Sequence, residues 1–250
     1  MPEFFSRASP ILSIQDLSCS YVSRSFGLLG KREIKPVLSH INMDIAFGGI
    51  FGLTGESGCG KSTLARCILG LIDYEGEIVI DGQKREERGP LSHRLQLARK
   101  VQMVFQDSGA SLNPAKRIGW LMEEALRIHR IGSPPERERK TDDMLVRVGL
   151  DPSYKKRRVN ELSSGQKQRV CVGRALLLEP KLLIADEAIS SLDVSVGAQI
   201  LNLFRELHND LGLSILFISH NTDAAEYLCD SIAVMEDGRI AAYGAPTGPA

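Results

Sequence analysis

Gly55-Glu56-Ser57-Gly58-Cys59-Gly60-Lys61-Ser62-Thr63 follows the apolar stretch Ile50-Phe51-Gly52-Leu53-Thr54 and runs into Leu64-Ala65-Arg66-Cys67-Ile68-Leu69. The spacing is G-x-x-x-x-G-K-[ST], and it lies between a strand pattern and a helix pattern, the setting such a loop requires. Glycines at 55, 58 and 60 let the backbone turn with its N–H groups pointing inward around phosphate oxygens. The helix that starts at Lys61 adds the partial positive charge of its N-terminus. In such a loop Lys61 holds β- and γ-phosphates and the Ser62 hydroxyl ligates Mg²⁺. Glu56, Ser57, Cys59 and Thr63 complete the expected nucleotide-binding stretch. Average residue usage makes a chance match in a chain this long about a one-in-a-hundred event. A plain glycine-rich turn is therefore the weaker reading.

A second half-site lies downstream. Leu182-Leu183-Ile184-Ala185-Asp186-Glu187 is an apolar strand ending in two acids. Buried strands rarely end so unless the carboxylates bind a cation or move protons. Asp186 is expected to support Mg²⁺, directly or through water, and Glu187 to polarise an attacking water as a general base.

Around these two points strand and helix patterns alternate, which predicts an α/β fold. Residues 11–17 and 37–45 read as antiparallel strands, with 22–36 as a surface loop between them. Further strands are expected at 50–54, 77–81, 101–105, 181–185, 213–219 and 231–235, with helices at 61–70, 194–211 and 223–228 and a last hairpin at Asp237-Gly238. From about 107 to 178 the pattern becomes helical, at 118–130 and 138–148, with Gly-Ser-Pro-Pro as a break and helix start. The whole reads as one domain over 1–250: an α/β core with an antiparallel β subdomain (1–106 and 179–250) and a helical insert (107–178). The charge runs at 136–140 and 155–158 read first as solvated faces.

Composition excludes several classes. Of 250 residues, 43% are hydrophobic and 25% charged, with 31 basic against 31 acidic side chains. That balance disfavours disorder and binding to nucleic acid by bulk charge. No apolar run approaches the roughly 18 residues of a membrane-spanning helix, and the first ten residues lack the apolar segment of a secretory signal. Five scattered cysteines without a CxxC pair fit neither a disulfide scaffold nor a zinc knuckle, and suit a reducing cytoplasm. The histidines 40, 93, 129 and 208 lack metal-ligand spacing and read as surface or cap residues.

Four further motifs narrow the class. Leu162-Ser163-Ser164-Gly165-Gln166 precedes a helix, Gln106 follows a strand, Ser191-Leu192-Asp193 follows Glu187, and His220 follows the strand LSILFIS. Together with the phosphate loop, in this order over nearly the whole chain, they resemble the ATPase subunits of ABC transporters. The resemblance implies a P-loop NTPase (ABC ATPase) core with ATP and Mg²⁺ as ligands. It implies that Ser163 and Gly165, with Ser164 and Gln166 beside them, face the γ-phosphate held by a partner ATPase across a dimer interface. Gln106 resembles the glutamine that senses Mg²⁺ and the attacking water, His220 the switch histidine at the γ-phosphate, and Asp193 the aspartate at the dimer interface. Tyr21 is expected to stack on adenine; an aromatic core residue is the competing reading.

Val104-Phe105-Gln106-Asp107 with Ala110-Ser111-Leu112-Asn113-Pro114, the loop itself and the FGLLGK insertion at 26–31 resemble the peptide and nickel importer ATPases, in the second position of a heteromeric pair. That group implies a sister ATPase, two membrane permeases and an extracytoplasmic solute-binding protein, no nucleic acid, and a peripheral place on the cytoplasmic face of the inner membrane. Three residues depart from the pattern. Ser164 stands where the signature carries glycine, Ala188 where proline usually follows the acid, and Ser108 where proline follows Asp107. The last two, and a chain ending at Ala250, lean towards nickel or a metal chelate over oligopeptides. A soluble ABC-type ATPase in repair or remodelling is the rival class; the stretch from Thr63 to Asp186 is too short for the coiled-coil arms of repair members. A regulatory nucleotide-binding partner with little turnover is a third reading, against which intact Glu187 and His220 speak.

Overall fold

The computed structural model describes residues 10–24, 32–85, 90–107 and 109–245. The chain divides into two compact units, 1–89 with 216–250, and 90–215.

The first unit holds an antiparallel sheet of order β2-β1-β4-β5, made of β1 (Leu12–Arg24), β2 (Arg32–Ile45), β4 (Glu75–Ile80) and β5 (Gln83–Lys84). The expected surface loop over 22–36 is corrected here: β1 runs on to Arg24 and β2 begins at Arg32, with Val22 paired to Ile34 and Tyr21 to Lys35. The FGLLGK stretch at 26–31 and Ser108 lie outside the described residues.

Both strands change face partway. Leu12 and Ile14 are buried, and so are Leu17 and Cys19, an odd step that strict alternation forbids. The register shifts between Ile14 and Leu17, where Asp16 takes a left-handed φ of 51°. On β2 the burial passes from Leu38 to Ile41 across His40, at φ 53°. Such bulges insert one residue and re-aim all that follow. Asp16 Oδ1 and His40 Nδ1 meet at 2.6 Å on the exposed side.

In the same unit β3 (Ile50–Thr54) runs parallel to β9 (Ser231–Glu236), which turns back antiparallel into β10 (Arg239–Gly244). The turn is the expected hairpin: Asp237 and Gly238 both take positive φ, 44° and 74°, as a type I′ connection demands. Every residue of β3 is buried, which is how a parallel strand covered on both faces reads. Helix α1 (Lys61–Leu69) follows it directly, and α7 (Thr222–Leu228) precedes β9. The strand β8 (Ser214–Ser219), wholly buried, spans the division between the units.

The second unit begins with α2 (Leu91–Lys100), an element the sequence pattern does not announce because none of its residues is buried. Strand β6 (Val101–Val104) runs parallel to β7 (Leu182–Asp186), pairing Val101 with Leu182. Between them lie α3 (Ile118–Ile128), α4 (Pro134–Arg147), two 3-10 turns (Pro152–Lys156 and Val159–Glu161) and α5 (Ser164–Leu176). Helix α6 (Val194–Leu211) follows β7. Leu121, Met122 and Leu126 of α3, Leu145 of α4 and Val170 and Val172 of α5 are buried in the helical part. Helix α4 starts four residues before the periodicity predicts, on Pro134-Pro135, since proline fits the first helical turn.

The basic run at 155–158 is a solvated face only in part: Lys156 and Arg158 are exposed, whereas Lys155 and Arg157 are half-buried and engaged. Lys155 reaches Glu138 at 3.0 Å and Asp142 at 2.6 Å, both on α4, and the Arg157 guanidinium stacks 3.8 Å from the Tyr154 ring centroid. All five cysteines are free thiols, four of them buried. Among the described residues no helix is long and apolar enough to cross a membrane.

Candidate functional site

The phosphate loop is held from outside its own sequence. The Gly238 N–H of the β9–β10 turn donates to the Cys59 carbonyl at 3.0 Å, and Ser39 N–H on β2 donates to the Gly238 carbonyl at 2.9 Å. Gly55, Gly58 and Gly60 take φ of 148°, 87° and 116°. At Gly55 a side chain would strike the Met235 carbonyl oxygen, so the close approach of the loop to β9 requires glycine there. Lys61 is buried, and its ammonium donates to the Gly55 and Glu56 carbonyls at 2.8 Å each and lies 3.8 Å from Cys59 Sγ.

Helix α1 has Gly60 as N-cap, no side-chain cap and no acid in its first turn. Most helices place a serine, threonine or acid there, and an end without one is suited to an external anion. Ser62 is half-buried on the first turn, and Glu56 and Ser57 are exposed at the lip. Tyr21, on β1 in the same unit, is 39% exposed, so its ring is not a core residue.

Asp186 ends β7 at 5% exposure, and Glu187 follows at 8%. Glu187 takes a left-handed φ of 50°, a conformation that costs a non-glycine residue about 1–2 kcal/mol. Ser190 holds that turn, donating through its N–H at 3.1 Å and its hydroxyl at 2.9 Å to the Glu187 carbonyl. The strain redirects the chain immediately after the buried acid pair. Ala188, in the place of the usual proline, is buried at 2% exposure.

Ser163 and Gln166 form a reciprocal cap on α5. Gln166 N–H donates to Ser163 Oγ at 3.3 Å, Ser163 N–H donates to Gln166 Oε1 at 3.0 Å, and Gln166 Nε2 donates to the Tyr154 hydroxyl at 3.0 Å. Both ends of the Gln166 amide are therefore engaged within the protein. Ser164 sits exposed in the first turn, where a side chain meets no obstacle. Gly165 is buried, and a Cβ there would lie 2.6 Å from Val196 Cγ1 on α6. Within this chain, then, Ser164 is free of packing constraints, whereas a side chain at 165 would press on Val196.

Asp193 is exposed and caps α6, accepting from Val196 N–H at 2.9 Å. Gln106 is exposed just beyond β6, and His220 is exposed at the end of β8. Within the first unit the fold gathers residues 55–63; within the second it brings Ser163, Gly165 and Gln166 to one helix end and Asp186 and Glu187 to one strand end. Sequence reasoning does not single out Tyr154, because its contact with Gln166 spans twelve residues with no motif around it.

Mg²⁺ takes oxygen donors, commonly one or two from protein beside those of substrate phosphates. Taken singly, the Ser62 hydroxyl in the first unit and the buried Asp186 carboxylate and Gln106 amide oxygen in the second are donors of that kind.

A strand–glycine loop–helix with an uncapped N-terminus, together with a strand ending in buried acids, defines a P-loop nucleotide-binding protein. The more particular class follows from comparison: the ABC transporter family profile matches residues 38–190, and this chain belongs to that family. It is 41% identical over 244 residues to the glutathione import ATP-binding protein GsiA of Pectobacterium atrosepticum, covering 96% of this chain and 38% of that protein. It is 42% identical over 233 residues to a putative peptide import ATP-binding protein of Brucella ovis, covering 93% of this chain and 71% of that one. The chain thus spans under two fifths of the length of the glutathione import protein it matches.

Among solved structures, cbiO1 from Clostridium perfringens, part of the ABC transporter complex cbiONQ, superposes with a TM-score of 0.81 at 29% identity, covering 96% of this chain and 90% of its own. The ATP-binding cassette MJ0796, seen as a dimer in a post-hydrolysis state with ADP and Pi, gives 0.81 at 26% identity over 95% of this chain and all of its own. The fold is that of an ABC ATP-binding cassette.

Proposed function

We propose that this chain is the ATP-hydrolysing subunit of an importer for short peptides or glutathione-like cargo. The observation that carries the reading is the loop at 55–63, with three left-handed glycines leading into a helix whose N-terminus has no cap of its own. The cargo class rests on the relatives, which are named for glutathione and peptide import; none of those reported above is named for nickel.

In this reading the loop amides and Lys61 bind the β- and γ-phosphates of ATP, with Tyr21 against the adenine. Glu187 takes the proton of the water that attacks the γ-phosphate, and Gln106 and His220 orient that water and the phosphate. Mg²⁺, when bound by Ser62, Asp186 and Gln106, neutralises charge on the phosphate oxygens. Ser163 and Gly165 present a helix N-terminus to the nucleotide of a partner ATPase, with Asp193 close to the same interface. Gln166 acts behind them, as the support of Ser163. Closure of the ATPase pair around two nucleotides then drives two permeases, supplied by an extracytoplasmic binding protein, with the chain peripheral at the cytoplasmic face of the inner membrane.

The test is purification of tagged chain from membranes, followed by ATPase assays with glutathione, a dipeptide or a nickel chelate supplied through the co-purified binding protein. Recovery of two permeases and a sister ATPase, with turnover stimulated by glutathione or dipeptide, is expected. Stimulation by the nickel chelate alone would overturn the cargo class. Recovery of soluble partners only would overturn the importer.

A further inference from the structure

We infer that Tyr154 is a positioning residue for the signature serine, acting through Gln166. The inference rests on the ATPase reading above and concerns how the second unit prepares the end of α5.

The chain of contacts runs outward from Ser163. Its hydroxyl is oriented by accepting from Gln166 N–H at 3.3 Å, and its own N–H needs the Gln166 amide oxygen at 3.0 Å. Once that oxygen is committed, the amide nitrogen of Gln166 has to point the other way, and it donates to Tyr154 Oη at 3.0 Å. A primary amide without this second partner is free to rotate about its last bond and to leave the Ser163 N–H. Tyr154 therefore selects the one orientation of Gln166 that completes the cap.

The platform beneath Tyr154 is itself fixed. Its ring is stacked under the Arg157 guanidinium at 3.8 Å. The 3-10 turn that carries it is capped by Asp151, whose Oδ1 accepts from Ser153 N–H at 2.8 Å. Lys155, the next residue, is tethered to Glu138 and Asp142 of α4. Residues of the basic stretch that the sequence reads as a solvated surface thus anchor a tyrosine whose hydroxyl sits two contacts from Ser163.

The prediction separates turnover from nucleotide capture, because Tyr154 touches the signature and not the phosphate loop. Tyr154→Phe keeps the ring and its cation stack and removes only the hydroxyl. In the full chain with its ATPase partner it should lower kcat about three- to tenfold, the scale of one lost hydrogen bond to a group that must stay in place. MgATP affinity, measured by titration, and the thermal midpoint should stay near those of the wild type. In a Gln166→Ala background the same substitution should have no further effect on kcat, since the residue through which it acts is gone.

Unchanged kcat in Tyr154→Phe overturns the inference. So does a full additional loss in the Gln166→Ala background, or a fall in kcat matched by lost MgATP affinity and a lowered midpoint. A wild-type complex with no turnover removes the ATPase reading, and this inference with it; a turning-over wild type beside an indifferent Tyr154→Phe removes the inference alone.

Discussion

Two helix N-termini carry the chemistry in the proposed function, and they are built in opposite ways. Helix α1 begins at a glycine with no side-chain cap and no acid in its first turn, while α5 begins at a serine locked in a reciprocal box with Gln166. Unsatisfied donors at a helix start are costly unless something supplies the acceptor. At α1 the acceptor is expected to be a bound phosphate, so the helix end is complete only with ligand. At α5 the protein supplies it, so the helix end is preset and presents a hydroxyl of fixed orientation to whatever meets it. In the proposed reading one end captures and the other waits.

The largest effect that would sharpen this contrast is at the capturing end. Lys61→Ala should lower nucleotide affinity at least about tenfold, since hydrogen bonds from a cation to an anion are worth more than neutral ones. Unchanged affinity by nucleotide titration would break the picture of the loop as a phosphate cradle.

At the preset end, Gly165→Ala should destabilise by about 1–3 kcal/mol through overpacking on Val196, with the thermal midpoint as readout. Ser164→Ala, one residue away and exposed, should stay within about 0.5 kcal/mol. Equal midpoints for the two would mean that α5 and α6 are not packed as described. Ser163→Ala should cost about 1 kcal/mol of stability as the cap is lost, an effect with no counterpart at Gly60.

The smallest effect distinguishes two boxes from each other. Helix α4 also starts with a serine, but its third residue is Glu136, whose carboxylate accepts from Ser133 N–H at 2.7 Å and Ser133 Oγ at 2.8 Å. Those hydrogen bonds, the backbone one first, hold the Glu136 carboxyl below its ordinary value. A depressed carboxylate stabilises the fold above its unfolded value and loses that contribution as the pH falls through its folded one. Glu136→Gln should therefore flatten part of the acid limb of a stability profile, leaving the neutral range alone. The Gln166 box has no such titration, and Gln166→Ala should shift the profile evenly. A Glu136→Gln profile parallel to wild type would contradict the assignment.

The contrast between the helix ends was only half legible in the residues. The spacing from Gly55 to Thr63 identifies the loop because the chemistry is local: three glycines, a lysine and three hydroxyls within nine residues. The acid pair at Asp186 and Glu187 is visible for the same reason. What escaped reading depends on distant partners. The face change of β1 at Asp16 and of β2 at His40 comes from bulges that period-two alternation cannot foresee. Helix α2 has no fully buried residue, and its short apolar pattern is broken by charged and polar residues. The anchoring of Lys155 needs α4, and the contact of Tyr154 with Gln166 needs the turn that brings them together.

The measurement closest to the central claim is hydrolysis by Glu187→Gln beside its MgATP affinity. Removing a general base costs about a hundredfold or more in rate, while the loop that captures phosphate is untouched. The account predicts affinity within about threefold of wild type, near the scale of a single weak contact, with turnover nearly abolished. Hydrolysis at a near-normal rate would contradict it.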